Sequence, residues 1–174
     1  MKVVSAIAAA PPRLLYSSMD SPLGELLLVG DGETLHGLYM QHGRRPVRIA
    51  SHWRRSSSSF AAVTEQLGDY FAGARRDFDV ALTLRGSAFE QSVWSALRAI
   101  PYGETTSYGE LARCIGRPTG ARAVGLANGR NPIAIIVPCH RVIGADGSLT
   151  GYGGGVERKR LLLGLEQREL SLRF

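Results

Sequence analysis

The stretch SYGELARCIGRPTGARAVGLA, residues 107–127, decides the fold of the C-terminal half of the chain. Ser107 and Glu110 have the spacing of a capping box and predict a short helix that ends near residue 115. After a tight connection at 116–119, residues 120–127 predict another short helix. The residues predicted to turn inward are Ala121, Val124 and Ala127. Two short helices across a tight turn predict a helix-turn-helix, although many helical hairpins share this pattern.

The residues on either side of this stretch complete a mostly helical unit. Another capping box, Ser87 and Glu90, begins a helix with apolar residues at helical spacing that ends before Pro101. We expect a C-terminal domain over residues 87–174. Its remaining predicted elements are a buried apolar strand at 133–137, a glycine-rich loop at 144–155 and a closing helix at 156–167.

The N-terminal half alternates short apolar runs with turn residues, which is typical of a sheet. Asp31-Gly32 predicts a hairpin turn between two of the strands. The Arg- and Ser-rich segment 44–59 has no apolar period, so we interpret it as a surface loop. Residues 1–86 are predicted to form a small α+β domain. The predicted elements are strands at 13–19, 24–29 and 34–40, a helix between 60 and 71, and a strand at 78–84.

Positive charge is concentrated near the helix-turn-helix. The 174-residue chain has a net charge of +6, and among its 21 basic residues only Lys2 and Lys159 are lysines. Residues 111–145 contain five arginines and no acidic residue, as expected for a surface that faces phosphate groups. The abundance of arginine elsewhere is equally explained by genome composition. The helix at 120–127 offers only Arg122 for reading base edges. If DNA is the partner, we expect contact without sequence specificity; the alternative is close helix packing with Arg122 solvated.

Composition excludes several classes of protein. A hydrophobic fraction of 44% with 21% charged residues is that of a folded globule, not of a disordered or collagen-like chain. No apolar run approaches the roughly 18 residues of a membrane span, and the run at 3–10 is short for a signal peptide. Two cysteines do not make a disulfide scaffold. We therefore expect a cytoplasmic protein.

The two cysteines differ in their surroundings. Cys139 lies beside His140 after the apolar run, where a base could activate the thiol as a nucleophile. Such a pair needs a third group to hold the imidazole, and Glu166 is a candidate. The alternative is an inert buried cysteine beside an unrelated histidine. Cys114 has no histidine near it and is interpreted as structural.

The chain resembles the O6-alkylguanine-DNA alkyltransferase family, bacterial single-protein type. The resemblance covers residues 87–167 and is weaker in the N-terminal half. It implies a ribonuclease-H-like α+β domain followed by a winged-helix-like domain with the helix-turn-helix. The motifs that carry it are NP at 131–132 with PCHRVIG at 138–144, IPYGETTSYG at 100–109, ARAVG at 121–125, GYGGG at 151–155 and LLGLE at 162–166.

The resemblance implies a role for each matching residue. Cys139 would accept the alkyl group from O6 of guanine, and less readily from O4 of thymine, in one irreversible turnover. His140 would deprotonate it through a water, and Glu166 would orient the histidine. Asn131 would brace the active-site segment. Tyr108 would donate to the base and press the 3′ phosphate so that the base flips out.

The resemblance also implies DNA contacts in the minor groove, where small residues allow close approach. Arg122 would replace the flipped nucleotide. The other implied DNA contacts are Tyr108, Ala121, Ala123, Gly125, Arg117 and Thr105. The implied substrate pocket consists of Tyr108, Val142, Tyr152 and Gly153. Gly153 stands where many relatives have Ser, so only its backbone N–H could serve the alkylated oxygen.

The resemblance implies no cofactor. Some relatives bind zinc through N-terminal Cys and His, but no cysteine precedes residue 114, so we expect no metal. The expected partner is double-stranded alkylated DNA, bound by a monomer, with clustering on DNA left open. Two other functions stay open from the residues alone. One is a damage sensor whose Cys139 is inert, and the other is a Cys–His hydrolase that turns over repeatedly without DNA.

Overall fold

A computed structural model of the chain describes residues 13–43 and 46–171, and side chains up to residue 168. The N-terminal elements are β1 Leu15–Met19, β2 Leu26–Gly30, β3 Leu35–Met40, β4 Arg54–Arg55 and α1 Ala61–Phe71. The C-terminal elements are α2 Ala88–Arg98, β5 Thr106–Ser107, α3 Tyr108–Cys114, α4 Ala121–Gly129, β6 Val142–Ile143 and α5 Val156–Ser171.

The N-terminal sheet has the strand order β3-β2-β1-β4. β1, β2 and β3 form an antiparallel meander, as the apolar runs and the Asp31-Gly32 turn predict. All five residues of β2 are buried, and Leu26 and Leu28 share a core with Leu67 and Tyr70 of α1. The fold is α+β, as expected.

Two N-terminal predictions need correction. Residues 78–84 form no regular strand, because they contact β3 only around an isolated parallel bridge between Leu35 and Leu82. The segment 44–59 is not simply a loop: β4 pairs with β1 in parallel, and a short 3-10 helix spans Ser58–Phe60. Residues 44 and 45 of this segment lie outside the described residues. In both cases long-range pairing at a sheet edge, and not local pattern, determines the structure.

The capping boxes are confirmed at both predicted helix starts. Ser87 and Glu90 cap α2, and Ser107 and Glu110 cap α3. α3 and α4 form the predicted helix pair, connected through Gly116, whose φ of 71° is a left-handed conformation that suits glycine. Trp94 of α2 donates its indole N–H to the Ala127 carbonyl at 2.9 Å and so joins α2 to α4.

Three further expectations differ from the structure. Residues 133–137 are not a strand but a tight turn, in which the non-glycine residue Ile135 has a φ of 71°. The closing helix α5 extends to residue 171 rather than 167. Cys114 is exposed and contributes nothing to the core, so its interpretation as structural is wrong.

The edge of β3 that faces away from β2 joins the two halves of the chain. Leu38 donates its backbone N–H to the Pro132 carbonyl at 2.9 Å, and its carbonyl accepts from Ala134 at 3.0 Å. One hydrophobic core accordingly includes buried residues from both halves. No helix within the described ranges is long and apolar enough to cross a membrane.

Candidate active site

Cys139 begins a short 3-10 helix, Cys139–Arg141, and is only 5% exposed. Asn131 holds it from the preceding turn: its Nδ2 donates to the Val137 carbonyl at 2.8 Å and lies 3.1 Å from the Cys139 Sγ. Its Oδ1 accepts from the backbone N–H of Ile133 at 3.0 Å. One amide side chain thereby fixes both ends of the turn and the position of the thiol.

His140 and Glu166 form a fully buried pair. The His140 Nε2 lies 2.8 Å from the Glu166 Oε1, and both side chains have no exposed surface. A carboxylate can only accept, so Nε2 carries the proton in this pair. The other ring nitrogen, Nδ1, has no hydrogen-bond partner within the described residues and is in the form that can accept a proton.

Glu166 receives hydrogen bonds from four residues. Arg141 donates through Nε at 2.9 Å and Nη2 at 3.0 Å, and Tyr70 donates its hydroxyl at 2.7 Å. The backbone N–H of Gly103 donates at 3.1 Å. Burial alone would raise the pKa of Glu166, but the hydrogen bonds from His140 and Arg141 and the charge of Arg141 outweigh it and lower the pKa to about 2. The carboxylate is therefore ionised throughout the neutral range.

Burial shifts the pKa values of Cys139 and His140 in opposite directions. It raises the pKa of the Cys139 thiol, although the Asn131 hydrogen bond and the Lys159 charge counteract the shift. It lowers the pKa of His140, although Glu166 opposes the shift. The resting site consequently holds a neutral thiol beside a neutral imidazole, the arrangement in which the histidine is free to act as a base.

Lys159 is a site residue that sequence reasoning missed. It is fully buried, and its Nζ donates to the carbonyls of Val142 at 2.5 Å and Thr150 at 3.0 Å. Tyr108 donates its hydroxyl to the same Thr150 carbonyl at 3.1 Å. The rarity of lysine was a usable signal for Lys159, because Lys2 is the only other lysine in a chain rich in arginine.

A cavity of about 330 Å³ opens beside Cys139. Of the predicted pocket residues, Tyr152 and Gly153 line it, whereas Tyr108 and Val142 do not. Val142 is fully buried, and the Tyr108 hydroxyl is occupied by the Thr150 carbonyl. A group of three or more His, Cys, Asp or Glu side chains that could hold a metal ion does not occur in 13–43 or 46–168.

The predicted DNA-contact residues share one region of the C-terminal half. Arg122 and Ala123 are exposed on α4, and Arg117 and Thr105 are exposed on the loops that precede α4 and α3. Ala121 and Gly125 are half-buried, and a Cβ at Gly125 would come within 3.7 Å of the Tyr108 ring. Arg122 makes no hydrogen bond or ion pair to any residue that the structure describes. Its guanidinium is free to reach a partner.

The helix pair α3–α4 and the buried Cys139, His140 and Glu166, joined to a small sheet domain, have the arrangement of a DNA-binding protein with a cysteine at its candidate active site. Comparisons with known proteins identify the family. The model for the 6-O-methylguanine DNA methyltransferase ribonuclease-like domain matches residues 14–84, and the model for the DNA-binding domain of the same family matches residues 88–168.

Relatives and solved structures agree with the family models. A methylated-DNA–protein-cysteine methyltransferase of Mycobacterium tuberculosis is 58% identical over 153 residues, 87% of this chain and 92% of the relative. The relative from Methanosarcina acetivorans is 50% identical over 153 residues, which make up 88% of this chain and 98% of the relative. The crystal structure of the M. tuberculosis protein in complex with DNA has a TM-score of 0.84 at 56% identity, covering 89% of this chain and 94% of that one.

The chain therefore belongs to the 6-O-methylguanine DNA methyltransferase family and is an enzyme of the methylated-DNA–protein-cysteine methyltransferase class.

Proposed function

We propose that this protein repairs O6-methylguanine in double-stranded DNA by transferring the methyl group to Cys139 in a single irreversible turnover, and that it acts less readily on O4-methylthymine. The observation that carries the proposal is the buried His140–Glu166 pair directly after a cysteine that opens onto a cavity. The family to which the chain belongs supports it.

The proton of Cys139 moves first. His140 accepts it at Nδ1 through a bridging water, while Glu166 holds the Nε2–H and stabilises the imidazolium that forms. Arg141 keeps Glu166 ionised and is bound by it through two hydrogen bonds. Asn131 donates to the Sγ and favours the thiolate, as does the charge of Lys159.

The thiolate then attacks the methyl carbon on guanine O6. A carbon–sulfur bond forms, the carbon–O6 bond breaks, and its electron pair stays with the guanine. The guanine takes up one proton, so the net change is the exchange of the thiol hydrogen for methyl. Water does not displace the resulting thioether, and each molecule reacts once.

The burial of Cys139 makes base flipping necessary. An O6-methyl group within the stacked duplex cannot reach a sulfur whose residue is only 5% exposed, so the nucleotide must leave the stack. Arg122 is exposed at the start of α4, where it fills the place of the flipped base. Ala121, Ala123 and Gly125 let α4 lie close in the minor groove.

The remaining contacts complete the DNA interface. Tyr108 presses the 3′ phosphate and donates to the flipped base. To do so, its hydroxyl releases the Thr150 carbonyl and donates to the nucleotide instead. Arg117 and Thr105 contact the backbone. We propose that residues 1–86 and 87–174 are separate domains, and that the protein acts as a cytoplasmic monomer without metal or cofactor.

Intact-mass spectrometry tests the transfer. After incubation with a duplex that contains O6-methylguanine, the mass of the protein should rise by one methylene, and peptide mapping should locate it at Cys139. Cys139→Ser should abolish the increase, and the matched control Cys114→Ser should retain it, because Cys114 is exposed and lies outside the site. Tight DNA binding without a mass change indicates a damage sensor instead, and repeated turnover without DNA indicates a hydrolase.

A further inference from the structure

A smaller cavity, of about 130 Å³, lies at the junction between the two halves of the chain. It shares no lining residue with the cavity beside Cys139. Three arginines line it, Arg76 from the N-terminal half and Arg98 and Arg141 from the C-terminal half, and we call it the arginine cavity. Arg76 and Arg98 lie outside the acid-free segment 111–145, so the pattern of charge along the sequence did not mark them.

Two segments of the wall of the arginine cavity are fixed to the same edge of β3. Leu35 exchanges backbone hydrogen bonds with residues 81 and 83, at 2.8 and 2.9 Å, and Leu38 does so with residues 132 and 134. These two segments continue into residues 80–82 and 135–138, which supply the apolar part of the lining. Backbone hydrogen bonds therefore set the position of the wall, and its apolar surface strengthens any charged hydrogen bond made there.

Arg76 is a half-buried cation without a counter-charge. Its Nε and Nη2 atoms are shielded from solvent and have no hydrogen-bond partner among the described residues. It also forms no ion pair with any residue in 13–43 or 46–168. Buried donors without a partner are rare in proteins, and a bound ion or water is a common complement to them. This side chain therefore points to an anion as the ligand of the cavity.

The Tyr102 ring brings Arg76 close to Arg141. The Cζ atoms of the two guanidinium groups lie 5.2 Å and 5.7 Å from the centroid of this ring. Two cations held at one ring repel each other, and Glu166 neutralises only Arg141. A bound anion would offset this repulsion.

The charge and the size of the arginine cavity define the class of ligand. Asp77 is the one acidic residue among its lining residues, against three arginines. Arg98 is exposed and forms no hydrogen bond or ion pair within the described part of the chain, so it is free to donate to a ligand. Guanidinium groups match the oxygens of phosphate through paired N–H donors. A volume of about 130 Å³ is below the roughly 300–1,000 Å³ of sites that hold whole small molecules, which limits the ligand to a single phosphate-sized group.

We propose that the arginine cavity binds one phosphate-sized oxyanion, either inorganic phosphate or a single phosphate group of a nucleic acid, and that Arg76 and Arg98 hold it from the two halves of the chain. Arg141 contributes its charge, while its hydrogen bonds go to Glu166 and to the Ile100 carbonyl. None of these arginines belongs to the proposed DNA contacts, and the inference does not depend on the proposed alkyl transfer. An anion that binds only the folded state stabilises it and links the two halves.

Titration with inorganic phosphate tests the site. Isothermal titration calorimetry near neutral pH, at constant ionic strength in a phosphate-free buffer, should show saturable binding of one phosphate per wild-type chain. Arg76→Gln and Arg98→Gln should each weaken binding about tenfold or more, because each removes a charge-assisted hydrogen bond. The control Arg85→Gln makes the same change in net charge at an exposed arginine that does not line the cavity, and it should bind as tightly as the wild type.

Thermal unfolding is the second measurement. Phosphate should raise the Tm of the wild type and of Arg85→Gln more than that of Arg98→Gln at every concentration. Exclusion of phosphate from protein surfaces raises the Tm of all variants alike, so the difference between variants reports binding at the site. Because Arg98 is exposed, its replacement leaves the fold intact even if Arg76→Gln does not fold.

A titration in the presence of saturating unmodified duplex identifies the source of the phosphate group. Unchanged phosphate binding assigns the cavity to the free ion. Loss of phosphate binding, together with weaker duplex binding by Arg98→Gln, assigns it to a phosphate of the DNA, and both results support the anion site. The proposal is wrong if neither measurement detects phosphate binding to the wild type, or if Arg76→Gln and Arg98→Gln bind phosphate as tightly as Arg85→Gln. Such a failure leaves the alkyl transfer untouched, because its readout is the mass of Cys139.

Discussion

Replacing Glu166 with Gln should impair both stability and catalysis, because it neutralises the carboxylate that faces His140 and Arg141. Tyr70, His140 and Arg141 donate to its Oε1, and Arg141 and Gly103 donate to its Oε2. Whichever of the two oxygens the amide NH₂ group replaces, its N–H groups face other hydrogen-bond donors and not acceptors. His140 can accommodate the amide by accepting at Nε2, but it then carries its proton at Nδ1 and no longer acts as a base.

The loss of folding free energy on this substitution can be worked out from the structure in two ways. Lowering the pKa of Glu166 from 4.5 to about 2 corresponds to about 3 kcal/mol of folding free energy. Removing one partner of a buried ion pair costs about 3–5 kcal/mol, and here the Arg141 side chain is only 8% exposed. Loss of the base should lower the transfer rate by about 10²–10⁴-fold.

The pH dependence has a definite sign. Because the folded pKa of Glu166 is lower than the unfolded one, its contribution to stability is present above about pH 4.5 and is lost as the pH falls towards about 2. Urea unfolding should show the wild type about 3–5 kcal/mol more stable than Glu166→Gln at pH 7, with the difference shrinking by pH 3. Glu157→Gln is the control, because Glu157 lies on the same helix in an exposed pair with Arg160. A Glu166→Gln protein as stable as this control, or one that repairs within tenfold of the wild-type rate, would refute the reasoning.

Three further predictions concern DNA and the thiol. Arg122→Ala should slow repair in duplex DNA at least tenfold more than reaction with free O6-benzylguanine, because only the duplex requires flipping; equal losses in the two assays would contradict this role. Lys159→Met should move the rising limb of the pH–rate profile to higher pH, because Lys159 lowers the pKa of Cys139, and a pKa higher by one leaves about tenfold less thiolate at a given pH below it; a lower rate with an unmoved profile would indicate a structural role only. Affinity for duplex DNA, measured by anisotropy, should fall linearly on a log–log plot against salt, and a flat response would argue against phosphate contact by the arginines of residues 111–145.

Several features were predictable because they depend on neighbours in the chain. A capping box needs only residues three apart, so Ser87/Glu90 and Ser107/Glu110 mark α2 and α3 correctly. Short apolar runs with turn residues between them mark the antiparallel meander for the same reason. The strand predicted at 133–137 was wrong because an apolar run indicates burial and not conformation, and the left-handed Ile135 places these residues in a turn.

The site could be predicted only in part. The Cys-His neighbourhood and the need for a third group singled out Cys139, His140 and Glu166, the motif resemblance implied their roles, and the structure places the last two 2.8 Å apart. Those roles stay proposals. Tyr70 could not be found, since 96 residues separate it from the carboxylate to which it donates. Lys159 stood out as one of only two lysines, but the sequence did not show that it lies at the site.

The local order of residues is enough to specify helices, turns and the neighbouring Cys139 and His140, because capping, backbone preference and side-chain chemistry act over a few positions. The microscopic environment of that pair is a property of the assembled molecule. Burial raises the pKa of the thiol, four residues from three segments hold Glu166, and β3 supplies a wall of the cavity beside Cys139. Desolvation and close charge pairing arise only when distant segments exclude water together, and for this reason no motif could reveal them.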